Sequence, residues 1–224
     1  MKPYLLILLI ICTGCPGNNS NSESTKKMSI KSLENKLIEI GYPGLFMYGG
    51  HSLADSIWED GKNVEQLKSI ISSASSRFHA KFLAAEVLRH FEVQLDTQSY
   101  NILAEAYAYA LKYTSTDRKN IVQLNGNLWG LLYEENDAGF LGKQFIKFGN
   151  AAIPSLTKLL DDGAGRIPYE GSEEATIGNA YQYRIKDFAA FYISKIKNIP
   201  IKFHQDFKKR DQEIEHLKEL LKEN

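Results

Sequence analysis

The sequence predicts an all-α fold arranged as a short α-α superhelix. Three observations carry that expectation. From Ser29 to the C-terminus the apolar residues recur at three- and four-residue spacing, as one face of a helix requires. No sustained run alternates with period 2, so a sheet is not expected. Small residues, chiefly alanine, are concentrated within the apolar segments, where they let neighbouring helices approach closely.

Taken in order, Leu33, Leu37 and Ile40 define a first helix, which Gly41-Tyr42-Pro43-Gly44 is expected to end. Val64, Leu67, Ile70, Ile71 and Ala74 define a second amphipathic helix. Phe78 to Phe91 forms a third, apolar around most of its circumference, which marks it for burial. Tyr100, Leu103, Tyr107 and Leu111 define a fourth, with Ala104, Ala106, Ala108 and Ala110 between them. Further helices are expected over about 138–148, 151–161, 177–197 and 206–223. The last carries one narrow apolar stripe, Phe207, Ile214, Leu217 and Leu221, with Lys and Glu pairs on the wet side, as suits a terminal cap.

The N-terminus has a different character. Lys2 precedes an apolar run from Tyr4 to Ile11, and Cys12-Thr13-Gly14-Cys15 follows. That run is about half the roughly 20 apolar residues a membrane-spanning helix needs. The segment resembles a bacterial lipoprotein signal peptide, although Cys12 stands where leucine is usual. The resemblance implies cleavage after residue 14, acylation of Cys15, and a polar tether over 15–28 leading to a helical-repeat domain over 29–224. It implies a lipid-anchored protein of the bacterial cell envelope. Pro16, rather than Asp, follows Cys15, which favours the outer membrane over the inner one.

A repeat-like unit lies nearer the C-terminus. Pro154 sits in the first turn of one helix, Asp161 near its end, and Arg184 or Lys186 precedes an Ala-rich second helix. This pattern resembles a HEAT-like repeat of the armadillo type, and the helices around 64–91, with Ala84-Ala85, form a looser copy. Residues 163–176 depart from it by inserting a long irregular loop between the paired helices. The resemblance implies a protein-binding scaffold or adaptor rather than a catalyst.

Composition narrows the function classes. The chain has 224 residues with 27 Lys+Arg against 27 Asp+Glu, so there is no basic footprint for nucleic acid. Removing residues 1–14 takes away only Lys2 among the charged residues, and the mature chain stays near neutral. Cys12 and Cys15 are the only cysteines, so neither a disulfide framework nor a thiolate zinc site is available. No P-loop or dinucleotide fingerprint is present, and no cofactor is expected.

Four features invite a chemical reading. Gly50-His51-Ser52-Leu53-Ala54 imitates a nucleophile elbow. Ser52 is read as a helix N-cap in a Gly-rich turn, with an esterase-like serine hydrolase as the alternative. His79, Glu86 and His90 share one helical face, which reads as a solvated or partner-facing stripe rather than a metal site. In the insert, Asp161, Asp162, Glu170, Glu173 and Glu174 gather around Arg166 and Tyr169 without the Asp-x-Asp-x-Asp-Gly spacing of a calcium loop. There, Ser172 is expected to cap a helix whose first turn holds Glu173 and Glu174. Finally, Trp129 and Tyr133 stand beside four acidic or amide residues, 134–137. Core packing is the expectation for Trp129. As candidate partner contacts the sequence offers Trp129, Tyr133, Arg166, Tyr169, Glu173 and Glu174.

Overall fold

The computed structural model describes residues 28–47, 53–115, 122–131, 137–163 and 166–223. The signal segment 1–14, Cys15, most of the expected tether, Ser52 and Tyr133 lie outside the described residues. Met28, the last residue assigned to the tether, is half-buried and packs against the core.

The fold is all-α. Helix α1 (Ile30–Phe46) opens at Ser29, whose hydroxyl accepts the Ser32 amide at 3.2 Å. The sequence expectation that Gly41 to Gly44 ends this helix needs correction. Gly41 takes φ 66°, which breaks the helical path, but the chain re-enters a helix immediately and Pro43 falls in the first turn of the new segment. The result is a kink that turns Tyr42 and Leu45 inward.

After α2 (Ala54–Trp58) come α3 (Val64–Ser72) and α4 (Phe78–His90). Every residue of α4 from His79 to Leu88 is buried, because α1, α3 and α5 (Tyr100–Lys112) pack around it. Ala104, Ala106, Ala108 and Ala110 of α5 are all buried, and their small side chains let α5 lie close against its neighbours. Each large apolar side chain buried here, such as Phe82, Leu83 or Leu88, contributes roughly 1.5–3 kcal/mol.

A two-residue parallel ladder, β1 (Thr114–Ser115) with β2 (Val122–Gln123), and the short α6 (Gly126–Trp129) connect the two halves. The second half contains α7 (Gly142–Phe148), α8 (Ile153–Thr157), α9 (Ser172–Tyr181), α10 (Ile185–Lys197) and α11 (Phe207–Glu223). α5 touches α7 and α8, α10 packs on α7 and α8, and α11 packs on α10.

Two further expectations are revised. The helix expected over 177–197 is two helices, broken where Gln182 adopts a left-handed conformation and Arg184 an extended one. Asp187 makes the break, because its carboxylate accepts the Arg184 backbone amide at 2.7 Å and so starts α10 afresh. The insert is also less irregular than expected, since α9 begins at Ser172. Gly171, with φ 98°, occupies the N-cap position assigned to Ser172.

A buried charge cluster fastens the last helix. Arg210 lies on the apolar stripe of α11, three residues after Phe207 and four before Ile214, and is fully buried. It donates to Asp187 at 2.9 Å and to the Tyr181 carbonyl at 2.7 Å. Asp187, also fully buried, accepts Arg184 as well, and Arg184 reaches Asp211 at 2.6 Å. The guanidinium groups of Arg184 and Arg210 lie 4.9 and 5.1 Å from the Phe207 ring centroid.

Candidate functional site

The structure separates the residues that the sequence grouped as contacts. Trp129 is fully buried, its indole N–H donating to the Thr114 hydroxyl at 2.8 Å and its ring stacked near Phe145. Its carbonyl accepts the Tyr192 hydroxyl. Tyr169 is likewise interior, and its hydroxyl donates to the Gly130 carbonyl at 2.7 Å. Burial pushes the ionisation of both Tyr169 and Tyr192 up, so these hydroxyls are structural donors. Both residues are therefore core, and of the expected contacts described here, Arg166, Glu173 and Glu174 are left at or near the surface. Arg166 pairs by backbone with Arg184, and its guanidinium lies 5.7 Å from the Phe207 ring.

The polar face of α4 differs from its expectation more sharply. His79 is 2% exposed and Glu86 is fully buried, so this is not a solvated stripe; only His90 at its end is exposed. The reason is that α4 is enclosed by three helices. Glu86 tolerates burial because Arg89 grips it with Nε at 3.0 Å and Nη2 at 2.6 Å, while Tyr107 donates its hydroxyl to the same carboxylate. His79 has no hydrogen-bond partner for either ring nitrogen among the described residues.

Burial, reinforced by the nearby Arg77 charge, pulls the His79 pKa down to about 4. An unfolded histidine titrates near 6.5. Between these values the unfolded chain binds a proton that the folded chain refuses, so stability falls as pH drops through this window. Above pH 6.5 neither state is protonated there and the penalty vanishes. A His79→Leu variant is expected to lose less stability than the wild type between pH 6.5 and 4. Urea midpoints measured at intervals across that range check this directly.

Above the Glu86–Arg89–Tyr107 network lies a surface cleft of about 350 Å³. Tyr42, Phe46 and Met47 come from the kinked end of α1, Arg89 and His90 from the last turn of α4, Leu128 from α6, and Phe140 from the turn before α7. The Gly41 kink is what brings the α1 residues over α4. Met47 and Phe140 remain 47% and 49% exposed, unusually open for large apolar side chains. Arg89 is pressed against Phe140, its guanidinium carbon 3.8 Å from the ring centroid. The ring of Phe46 lies 5.6 Å from that of His90.

Met, Phe, Tyr and Arg are the residue types enriched at the anchoring centres of protein interfaces. Sequence periodicity did not single out this cleft, because its walls come from four separated segments. The exposed Met47 just past a helix end and the Phe140 in a turn were the only local signals. Among the described residues no group of three or more His, Cys, Asp or Glu side chains is placed to hold a metal ion, and no helix is long and apolar enough to cross a membrane.

No protein-family model matches the chain, and neither the curated proteins nor the solved structures contain one significantly similar to it.

Proposed function

We propose that the protein is a lipid-anchored lipoprotein of the bacterial envelope, in the outer membrane, whose HEAT-like helical body acts as a scaffold or adaptor for a protein partner. The observation that carries this reading is the cleft formed by Phe46, Met47, Arg89 and Phe140, with two half-exposed apolar side chains flanking an immobilised arginine. The superhelical arrangement is supported by packing that largely follows chain order, as in stacked repeats: α4 on α3, α5 on α4, α7 and α8 on α5, α10 on α8, α11 on α10. The anchor rests on the Lys2, apolar run and Cys15 pattern.

Two experiments test the proposal. Cells given a fatty-acid probe should label the wild-type chain and not Cys15→Ala; retained label in the variant would remove the anchor. A photo-crosslinking residue placed at Phe140 should yield a discrete protein adduct in the native envelope that is absent when the same residue replaces exposed Lys209 on α11, the helix that packs on α10. Ester hydrolysis lost on Ser52→Ala would favour a hydrolase instead.

A further inference from the structure

We infer that the cleft recognises an acidic-apolar peptide segment, with Arg89 as the group that receives its carboxylate and Glu86 and Tyr107 as positioning residues behind it. This inference rests on the adaptor reading above. Arg89 spends Nε and Nη2 on Glu86, and its face is covered by Phe140. Its Nη1 has no partner among the described residues, although its side chain is 26% exposed and lines the cleft. A guanidinium held on one edge and one face has little rotamer freedom left to lose when a second carboxylate arrives.

Charge complementarity sets the sign of the occupant. Among the described residues the lining includes Arg89 and His90 and no acid. The Glu86 carboxylate behind Arg89 is fully buried and already satisfied by Arg89 and by Tyr107. A cationic occupant would therefore find no unspent acceptor among these side chains, whereas a carboxylate finds the unspent Nη1 donor of Arg89. Tyr42 adds to this: it is 3% exposed, lines the cleft, and its hydroxyl bonds to no described residue. An occupant's carbonyl or carboxylate would give that hydroxyl its acceptor.

Shape separates a peptide from a lipid. At about 350 Å³ the cleft is at the small end for a ligand site and is open to solvent. It holds one or two apolar side chains between Met47 and Phe140, not an enclosed acyl chain. Methionine's flexible thioether suits adjustable contact with such a side chain.

The test uses the full-length chain, purified in detergent and immobilised, with a phage-displayed library of random dodecamer peptides. The expected result is enrichment of peptides combining Leu or Phe with a nearby Asp or Glu. Replacing that acid by its amide should weaken binding roughly tenfold or more, as loss of a charge-assisted hydrogen bond does. Phe140→Ala should abolish enrichment of these peptides.

Arg89→Gln alone strands a buried carboxylate and can unfold the protein. The Glu86→Gln/Arg89→Gln double variant is used instead, with its melting curve as a folding control. It should keep the apolar preference and lose the acid-over-amide ratio. Tyr107→Phe should lower that ratio without abolishing binding, an outcome that a purely structural role would not give.

Enriched peptides that are basic or neutral, or an acid preference unchanged in the double variant, would overturn the inference and leave the adaptor reading standing. No Phe140-dependent enrichment at all would remove both. Arg89-dependent binding of oleate without any peptide would overturn the inference in favour of a lipid ligand.

Discussion

Replacing Asp187 with alanine is expected to cost about 3–5 kcal/mol of stability, a fall in Tm of roughly 10 °C. Asp187 is fully buried and receives the Arg184 backbone amide, the Arg184 guanidinium and Arg210. Its loss leaves the fully buried Arg210 with carbonyl acceptors and no countercharge, at the cost of desolvating a cation without compensation. It also removes the group that starts α10. Asp211→Ala is the control. That carboxylate also binds Arg184, but its side chain is 41% exposed, so solvent already screens the pair and less than about 1 kcal/mol is expected. Urea denaturation of both variants gives the comparison. Equal losses would mean that burial does not control the strength of this cluster.

Trp129→Ala is expected to destabilise the fold by about 3–5 kcal/mol, as truncations of buried aromatic residues do. The indole fills space beside Phe145 and donates to Thr114, and none of it reaches solvent. Phe140→Ala, by contrast, removes a half-exposed ring and should change Tm by only a few degrees. The pair of variants separates the two roles an aromatic residue can take here. A Trp129 variant with wild-type Tm would return that residue to the surface.

These two residues also show where the sequence was readable. Core packing of Trp129 followed from its apolar neighbours, and the all-round apolar character of Phe78 to Phe91 foretold a central helix. The helical class and most helix centres were visible as three- and four-residue spacing. What the pattern hid were interactions whose two halves lie far apart in the chain. Glu86 looked like a wet-face acid because Tyr107, which satisfies it, is 21 residues away. Arg210 on the last helix gave no signal in the sequence, because its partner Asp187 is 23 residues distant.

The cleft was hidden for the same reason, being assembled from the kinked end of α1, the end of α4, α6 and a turn. Some misses were local, however. Asp187, three residues after Arg184, carried the signal for a new helix start within 177–197. Gly41 followed by Tyr42-Pro43 read as a stop when it serves as a hinge in the helix path. A glycine that interrupts a helix and a proline that can begin one look alike to a periodicity search whether the chain stops or turns.

The position of Arg210 on the apolar stripe of α11 has a consequence for ionic strength. Buried ion pairs are barely screened by salt, whereas exposed ones weaken once the Debye length shrinks to a few ångströms. α11 is held at its beginning by Arg210 on Asp187, and farther along by Lys218 on Asp161, whose side chain is 83% exposed. Added salt therefore loosens the far end of the helix while the near end stays pinned. A brackish or saline medium would change the helix's fraying without detaching it.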